Sequence, residues 1–392
     1  MMSTDFSWLE WPFFDDSHRK LAVELDAWCK TNLTSIDETD VYVACKALVQ
    51  KLGVGGWLRY CVPSGEDGEL GGVYKELDSR SLCIVRETLA KCHPLADFAF
   101  AMQGLGSGAI SLEGNSDQKA AYLHAVAQGQ KVAAFALSEP EAGSDVAALS
   151  CSAVEDGDFY VLNGTKTWVS NGGLADFYCV FARTDVHAGS RGISAFIVDA
   201  STPGLYVDEI ISVISPHPLA TLRLSNCRIP KNQLLGQLNQ GFKLAMRTLD
   251  IFRCSVAAAA IGFGKSAMEV GIEHSLQRKM FGQRLADFQL TQAAFGDIAT
   301  ALDQSSLLTY RAAWVRDVQK RTATSETAMA KMAATESAQT VIDRVLQMFG
   351  GKGVVHGNTI ERLYRDIRAL RIYEGATEVQ KLIIARQVLN RN

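Results

Sequence analysis

Between Lys131 and Leu235 the hydrophobic residues change their spacing, and that change most limits the folds open to this chain. On either side, apolar residues recur at helical intervals. Within it they gather into short β-rich runs: VAAFALSE, DFYVL, TKTWVS, DFYCVFART, ISAFIVD, LYVDEI and TLRLSNCRI. The Asn163-Gly164 dipeptide and an NGG triplet at 171–173 read as turns between runs. The expected chain is mainly α with a central β domain. A helical domain covers 1–130 and contains a Gly-rich loop at 62–72, an antiparallel β domain covers 131–235, and a helical bundle covers 236–392.

A chain of 392 residues with 47% hydrophobic content can bury the cores of two or three domains. Its 39 Lys and Arg against 43 Asp and Glu give a net charge of -4, so no global attraction to phosphate backbones or anionic lipid is expected. The nine cysteines form no CxxC pair and the histidines show no ligand spacing, so neither a disulfide framework nor a metal site is expected. A reducing, cytoplasmic compartment fits this usage. The N-terminus lacks the marks of a leader, and no apolar run approaches the roughly 20 residues that span a bilayer.

Several stretches invite a chemical reading. AAAAIGFGKSA contains GxGxxA and GKS strings, but it lies in a helix-rich segment and has Ala259 where a P-loop needs glycine. Small residues for close helix packing explain it better. ALSEPEAGSD (136–145) ends a β run in a polar turn that either cradles a cofactor edge or is an ordinary surface turn. In KTWVSNGG, Trp168 beside Ser170 is either plain strand or an aromatic wall for a planar ring. Gly350, Gly351 and Gly353 in MFGGKGVVHG exceed what a helix end needs and point to close approach by a ligand or another subunit, or simply to a loop.

Near the C-terminus Ile360, Leu363, Tyr364, Ile367 and Leu370 form one apolar stripe, with Arg362, Arg365 and Arg368 facing elsewhere. A YEGA joint follows, and Thr377 with Gln380 offers a capping box for a last helix. Glu374 therefore sits in a tight joint. On residue chemistry alone it is either a dipole partner for the next helix or a base aimed at a substrate.

Taken together, FALSEPEAGSD, NGTKTWVSNGG, RKMFGQRLADFQLTQ, MFGGKG and ERLYRDIRALRIYEGATEVQKLIIAR closely resemble the acyl-CoA dehydrogenase family of flavoproteins, in the same order over nearly the whole chain. The resemblance implies a helical N-terminal domain, an antiparallel β-barrel middle domain and a C-terminal four-helix bundle, with FAD between the last two. By this likeness Phe135, Leu137 and Ser138, with Trp168, Val169 and Ser170, hold the isoalloxazine ring, and Ser144, Thr377 and Glu378 lie near the cofactor. Arg278, Phe281, Gln289, Gln347, Met348, Gly350 and Gly351 match positions that reach adenine and pyrophosphate across a subunit boundary, which implies a homotetramer built as a dimer of dimers.

The family's YEG carboxylate corresponds to Glu374. It would take the α-proton of an acyl-CoA while the β-hydrogen leaves as hydride to the flavin, giving a trans-2-enoyl-CoA. Members that place the base on another helix do so at the position of Phe252, which has no acid. The Glu374 amide and a flavin hydroxyl would polarise the thioester carbonyl. Ser144, Asp250 and Arg253 match positions that contact the CoA thioester or its pantetheine and adenine portion, and an electron-transfer flavoprotein would receive the electrons. A carboxylate with an ordinary pKa of about 4 is a weak base here, so exclusion of water, compatible with Ile372 and Tyr373 as neighbours, is expected to raise it.

Two alternatives compete with this reading. A flavin oxidase or monooxygenase is disfavoured by the YEG acid, and a DNA-associated alkylation-response flavoprotein would need Arg362, Arg365, Arg368 and Arg371 to form a basic face. The chain departs from the family pattern at VISPHPLATLRLSNCRIP, with Pro216, His217 and Pro218, and in a long loop at 63–80. Phe98, Phe100 and Met102 are candidates for the acyl tail or for helix core, and Asp97 for a polar acyl contact or a cap.

Overall fold

The computed structural model describes residues 5–389. Helices α1 (Asp16–Asn32), α2 (Val41–Val54), α3 (Ser79–Cys92), α4 (Pro94–Glu113) and α5 (Ser116–Ala127) come first. Strands β1 (Ala133–Ala136), β2 (Ser152–Asp156), β3 (Phe159–Ser170), β4 (Phe177–Arg183), β5 (Ile193–Asp199), β6 (Leu205–Ile210), β7 (Leu219–Pro230) and β8 (Leu234–Leu235) follow. The chain then runs through α6 (Gly241–Gln277), a small hairpin of β9 (Lys279–Met280) and β10 (Gln283–Arg284), α7 (Gln289–Asp317), α8 (Thr324–Phe349), α9 (Thr359–Leu370) and α10 (Thr377–Leu389). The α, β, α order is the one expected from hydrophobic period. Among the described residues no helix is long and apolar enough to cross a membrane.

By its contacts the chain forms two compact units. One is Ile36–Asp78 with Phe98–Phe252; the rest of the described chain is the other. In the first, the sheet runs β6-β7-β3-β2-β4-β5-β8, with β1 also beside β4. Its pairings are antiparallel except that β1 and β2 lie parallel to β4. Residues of β4 and β5 are buried almost throughout, with Phe177, Phe181 and Phe196 fully inside, which explains why DFYCVF and ISAFIV are nearly unbroken apolar runs.

Asn163-Gly164 is not a turn. It lies within β3, where the register against β7 shifts between Leu162 and Gly164. A Cβ on Gly164, at φ 147°, would come within 2.7 Å of the Cys151 Cα, so the glycine serves a bulge at a close backbone approach. The hairpin turn falls one strand earlier, between the paired Asp156 and Phe159, around Gly157 at φ 58°.

In the second unit α6 is buried on every side from Val256 to Ile261. Its glycines permit that. A Cβ on Gly262 would lie 2.3 Å from the Glu87 carbonyl oxygen and 2.9 Å from the Ala90 Cβ of α3, and one on Gly264 would lie 2.5 Å from Leu302 of α7. The small residues of AAAAIGFGKSA thus serve helix packing, as expected. On α9, Ile360, Leu363, Ile367 and Leu370 are buried, but Tyr364 is 42% exposed. Asp366 is buried instead, paired with Arg362 at 3.4 Å, so an ion pair occupies part of the inner face. Arg365 pairs with Glu361 and Arg371 with Glu336.

Alanine for a helix-interior glycine ordinarily stabilises by about 1 kcal/mol. At Gly262 the clash dominates, because overpacking costs about 1–3 kcal/mol. Gly262→Ala is therefore expected to lower the melting temperature in a thermal denaturation scan; an unchanged or raised midpoint would mean that α3 and α6 separate freely.

Candidate active site

In the β-containing unit a buried clamp joins two of the sequence motifs. Lys166 Nζ donates to Glu139 Oε1 at 2.7 Å and to the Leu137 carbonyl at 3.0 Å, while Thr167 N donates to the Ser138 carbonyl at 3.0 Å. Glu139 also accepts from the Ser150 and Cys151 amides at 2.6 and 2.9 Å. Burial pushes the Glu139 carboxyl up, but Lys166 and these amides outweigh it and hold it below its usual range. The clamp brings Leu137 and Ser138 beside the strand carrying Trp168, Val169 and Ser170.

Val169 is buried, whereas Trp168 is 58% exposed and left-handed at φ 55°. Such a conformation costs a bulky residue roughly 1–2 kcal/mol and marks stored strain. Phe135 is half-buried, its ring tilted at 54° against Phe181 with centroids 4.8 Å apart. Ser144 is exposed on the polar turn, and Asp250 is half-buried on α6.

A second cluster lies at the ends of α6 and α8. Arg278, Phe281, Gln289, Gln347, Gly350 and Gly351 are exposed and Met348 is half-buried. Phe281 stands at the tip of the β9–β10 hairpin, 88% exposed and left-handed. His274 on α6 stacks on Phe349 with ring centroids 4.1 Å apart, which ties the two helix ends together. A Cβ at Gly350 or Gly351 would meet nothing within 4 Å, so these glycines face open space.

The third cluster surrounds Glu374. The joint between α9 and α10 carries two consecutive left-handed residues, Glu374 at φ 52° and Gly375 at φ 93°. Side chains from other helices fix it. Arg253 Nε donates to the Glu374 carbonyl at 3.3 Å, and Lys331 Nζ and Gln380 Nε2 donate to the Gly375 carbonyl at 2.9 and 2.8 Å. The Thr377/Gln380 capping box is consequently not formed. Thr377 is the first helical residue and gives its hydroxyl to Glu336 at 2.6 Å, while Gln380 is spent on the joint. Glu378 is exposed.

Glu374 as a residue is half-buried, yet its Oε2 is buried with no hydrogen-bond partner among the described residues. Burial pushes its pKa up; Arg86, Arg253 and Lys331 pull against that, Asp97 adds to it, and the net direction is up. The shielding differs from the sequence expectation, because Ile372 is 57% exposed and cations rather than apolar neighbours surround the acid. Asp97 is neither cap nor free polar group. Arg86 donates to it through Nε and Nη2, both at 2.8 Å, and reaches Ser255 Oγ through Nη1 at 3.1 Å.

Sequence reasoning missed Arg86, Lys331, Ser255 and Glu336. The available signal was a lone charge inside an apolar helix run, LCIVRETL for Arg86 and AMAKMAA for Lys331. Phe252, at the alternative base position, packs its ring where a Cβ on Gly104 or Gly108 would come within 2.5 or 2.9 Å. Phe100 and Met102 are core residues. Phe98 faces His217 with ring centroids 4.5 Å apart, so the departure at 216–218 covers one of the acyl-tail candidates.

An exposed left-handed tryptophan beside a buried ion-pair clamp, and a carboxylate with a raised pKa on a left-handed helix joint, are the two features of this α, β, α chain that carry candidate chemistry. The sequence matches the acyl-CoA dehydrogenase N-terminal domain over residues 15–130, the middle domain over 134–227 and the C-terminal domain over 239–389. The chain belongs to the acyl-CoA dehydrogenase family. It is similar to the caffeyl-CoA reductase-Etf complex subunit CarC of Acetobacterium woodii, with 36% identity over 88% of this chain and 90% of that one. It is also similar to the human mitochondrial short-chain specific acyl-CoA dehydrogenase, with 38% identity over 90% and 84%. The solved butyryl-CoA dehydrogenase of Megasphaera elsdenii superposes with a TM-score of 0.87 at 30% identity, covering 99% of this chain and all of that one.

Lys331 is fully buried, and burial brings its pKa from 10.5 down to about 8 despite the attraction of Glu374. Between those values the unfolded chain holds a proton that the folded chain has shed, so stability rises with pH across the window. The penalty is fully present below about 8 and amounts to roughly 3 kcal/mol at most. The difference in unfolding free energy between the wild type and Lys331→Met should therefore shift toward the wild type as pH rises through this window; a flat difference in denaturant titrations would contradict it.

Proposed function

We propose that this protein is an FAD-dependent acyl-CoA dehydrogenase in which Glu374 removes the α-proton of a short acyl-CoA, giving a trans-2-enoyl-CoA. The observation that carries this reading is the state of Glu374, a carboxylate with one oxygen buried and unpartnered, strained backbone and a raised pKa. Among the described residues its backbone N–H makes no hydrogen bond, and this reading assigns it to polarising the thioester carbonyl.

The residues present fit FAD. Trp168 offers an exposed aromatic face beside Ser170, with Leu137 and Ser138 held alongside by the Lys166 clamp. Thr377 and Glu378 belong to the same assignment. When bound, FAD supplies the acceptor for the hydrogen that leaves Cβ as hydride. The exposed set Arg278, Phe281, Gln289, Gln347, Met348, Gly350 and Gly351 is assigned to the adenine and pyrophosphate half of a neighbouring copy, which makes a homotetramer the working assembly. Ser144 and Asp250 are assigned to the CoA portion. Arg253 points at the Glu374 carbonyl and is better placed to hold the base than to bind CoA.

An electron-transfer flavoprotein is the proposed redox partner. The likeness to a caffeyl-CoA reductase-Etf subunit supports a second direction, in which Glu374 returns a proton to Cα of an enoyl-CoA. A raised pKa suits both, since it makes the carboxylate a stronger base and keeps the acid within reach.

The test is anaerobic mixing of the purified yellow protein with butyryl-CoA and with branched, cyclic and aryl acyl-CoAs. At least one should bleach the flavin, and if none does the reading fails. Glu374→Gln should retain FAD and bleach about 10²–10⁴-fold more slowly. Unimpaired bleaching would place the base elsewhere.

A further inference from the structure

We propose that Glu336 is a positioning residue for this reaction: from α8 it bridges the two ends of the joint that carries Glu374 and so fixes where that carboxylate is presented. The inference rests on the reading of Glu374 as the base. Glu336 acts through the backbone of the joint.

That joint is a closed loop. Arg371 follows the last residue of α9 and Thr377 begins α10, and between them the chain turns through the left-handed Glu374 and Gly375. Thr377 N donates to the Arg371 carbonyl at 3.2 Å, which draws the two ends together into a neck. Glu336 closes the same neck through side chains. Its Oε1 accepts from Arg371 Nε at 2.9 Å and from Thr377 Oγ1 at 2.6 Å, and its Oε2 lies 2.8 Å from Arg371 Nη2. One carboxylate thus holds both residues that flank the turn 372–376.

A partly exposed arginine–carboxylate pair by itself contributes little to stability. This one is two-pronged, which sets the guanidinium in direction as well as distance, and it shares an oxygen with a hydroxyl on the far side of the neck. Burial pushes the Glu336 carboxyl up, but the bonds from Thr377 and Arg371 outweigh that and hold it below its usual range, so the bridge is ionised near neutral pH. The same helix supplies a second anchor. Lys331, about 7.5 Å back along the axis of α8, donates to the Gly375 carbonyl at 2.9 Å. Neck and apex of the turn are therefore both tied to α8. Without Glu336, the backbone bond between Thr377 and Arg371 would be left to hold the neck among the described residues. A base must stay within hydrogen-bond reach of the proton it removes, and a displacement of about 1 Å costs about 10²-fold in rate.

The experiment is anaerobic flavin bleaching in the holoenzymes of Glu336→Ala, Glu336→Gln and Glu336→Asp, followed against the concentration of butyryl-CoA or of whichever acyl-CoA bleaches the wild type fastest. Glu336→Ala should lower the limiting rate about 10- to 100-fold, with little change in the half-saturating concentration. Glu336→Gln keeps the reach and an acceptor oxygen and should recover most of the rate. Glu336→Asp keeps the charge but is one methylene too short to span both ends, and should stay near the alanine variant. That order, with FAD retained, supports the inference. A full limiting rate in Glu336→Ala overturns it, as does a loss seen only in the half-saturating concentration. An aspartate variant at least as fast as the glutamine one also overturns it, because charge rather than reach would then matter. Should Glu336→Ala fail to fold or to keep FAD, the glutamine and aspartate variants decide by the same order. Absence of bleaching in the wild type counts instead against the dehydrogenase reading, so the two failures are told apart.

Discussion

The helical unit is organised around one unfavourable arrangement, a carboxylate held in left-handed backbone with a buried, unpartnered oxygen. Left alone, such a turn would relax. It persists because Arg253 and Lys331 reach its carbonyls from α6 and α8 and Gln380 caps it from α10. Those side chains arrive only if the helices approach closely, and the glycines of α6 make that approach sterically feasible. Packing, ionic contacts and the strained joint are therefore one construction. Strain of this kind survives only where the surroundings over-determine it.

The β-containing unit shows the same principle with a different device. There a single buried ion pair, Glu139 with Lys166, binds the end of the ALSEP segment to the strand bearing Trp168. The indole is then presented outward in a conformation that costs energy. Of the non-glycine residues with left-handed backbone, Trp168, Phe281 and Glu374 are all candidates for cofactor or substrate contact. In both units buried charge supplies the rigidity, and the group it positions stays available.

The fold was largely legible in the sequence because burial imposes a period: 3.6 for α9 and its neighbours, and unbroken apolar runs for β4 and β5. The errors came where one local signal serves two geometries. Asn163-Gly164 looks the same whether it makes a hairpin or a bulge, and only the approach of Cys151 decides. Tyr364 fits the apolar stripe of α9, but the adjacent Asp366 is drawn inward by Arg362. Thr377 and Gln380 have the spacing of a capping box, yet Glu336 and the joint carbonyls compete for them. Glu374 itself was ambiguous by chemistry and became a candidate base through the ordered set of motifs. Arg86 and Lys331 could not be placed in advance, since whether a charge within a helix is buried depends on partners far away in sequence.

Taken together, the surroundings of Glu374 raise its pKa and so make it a stronger base than an exposed carboxylate. This is tested most directly by titrating the protein labelled with ¹³C at the glutamate carboxyl carbons and subtracting the spectrum of Glu374→Gln, which isolates the signal of this one residue. The expected result is a resonance that titrates above the usual glutamate range. A resonance that titrates at or below the ordinary value of 4.5 would show that the cations dominate burial, and would contradict it.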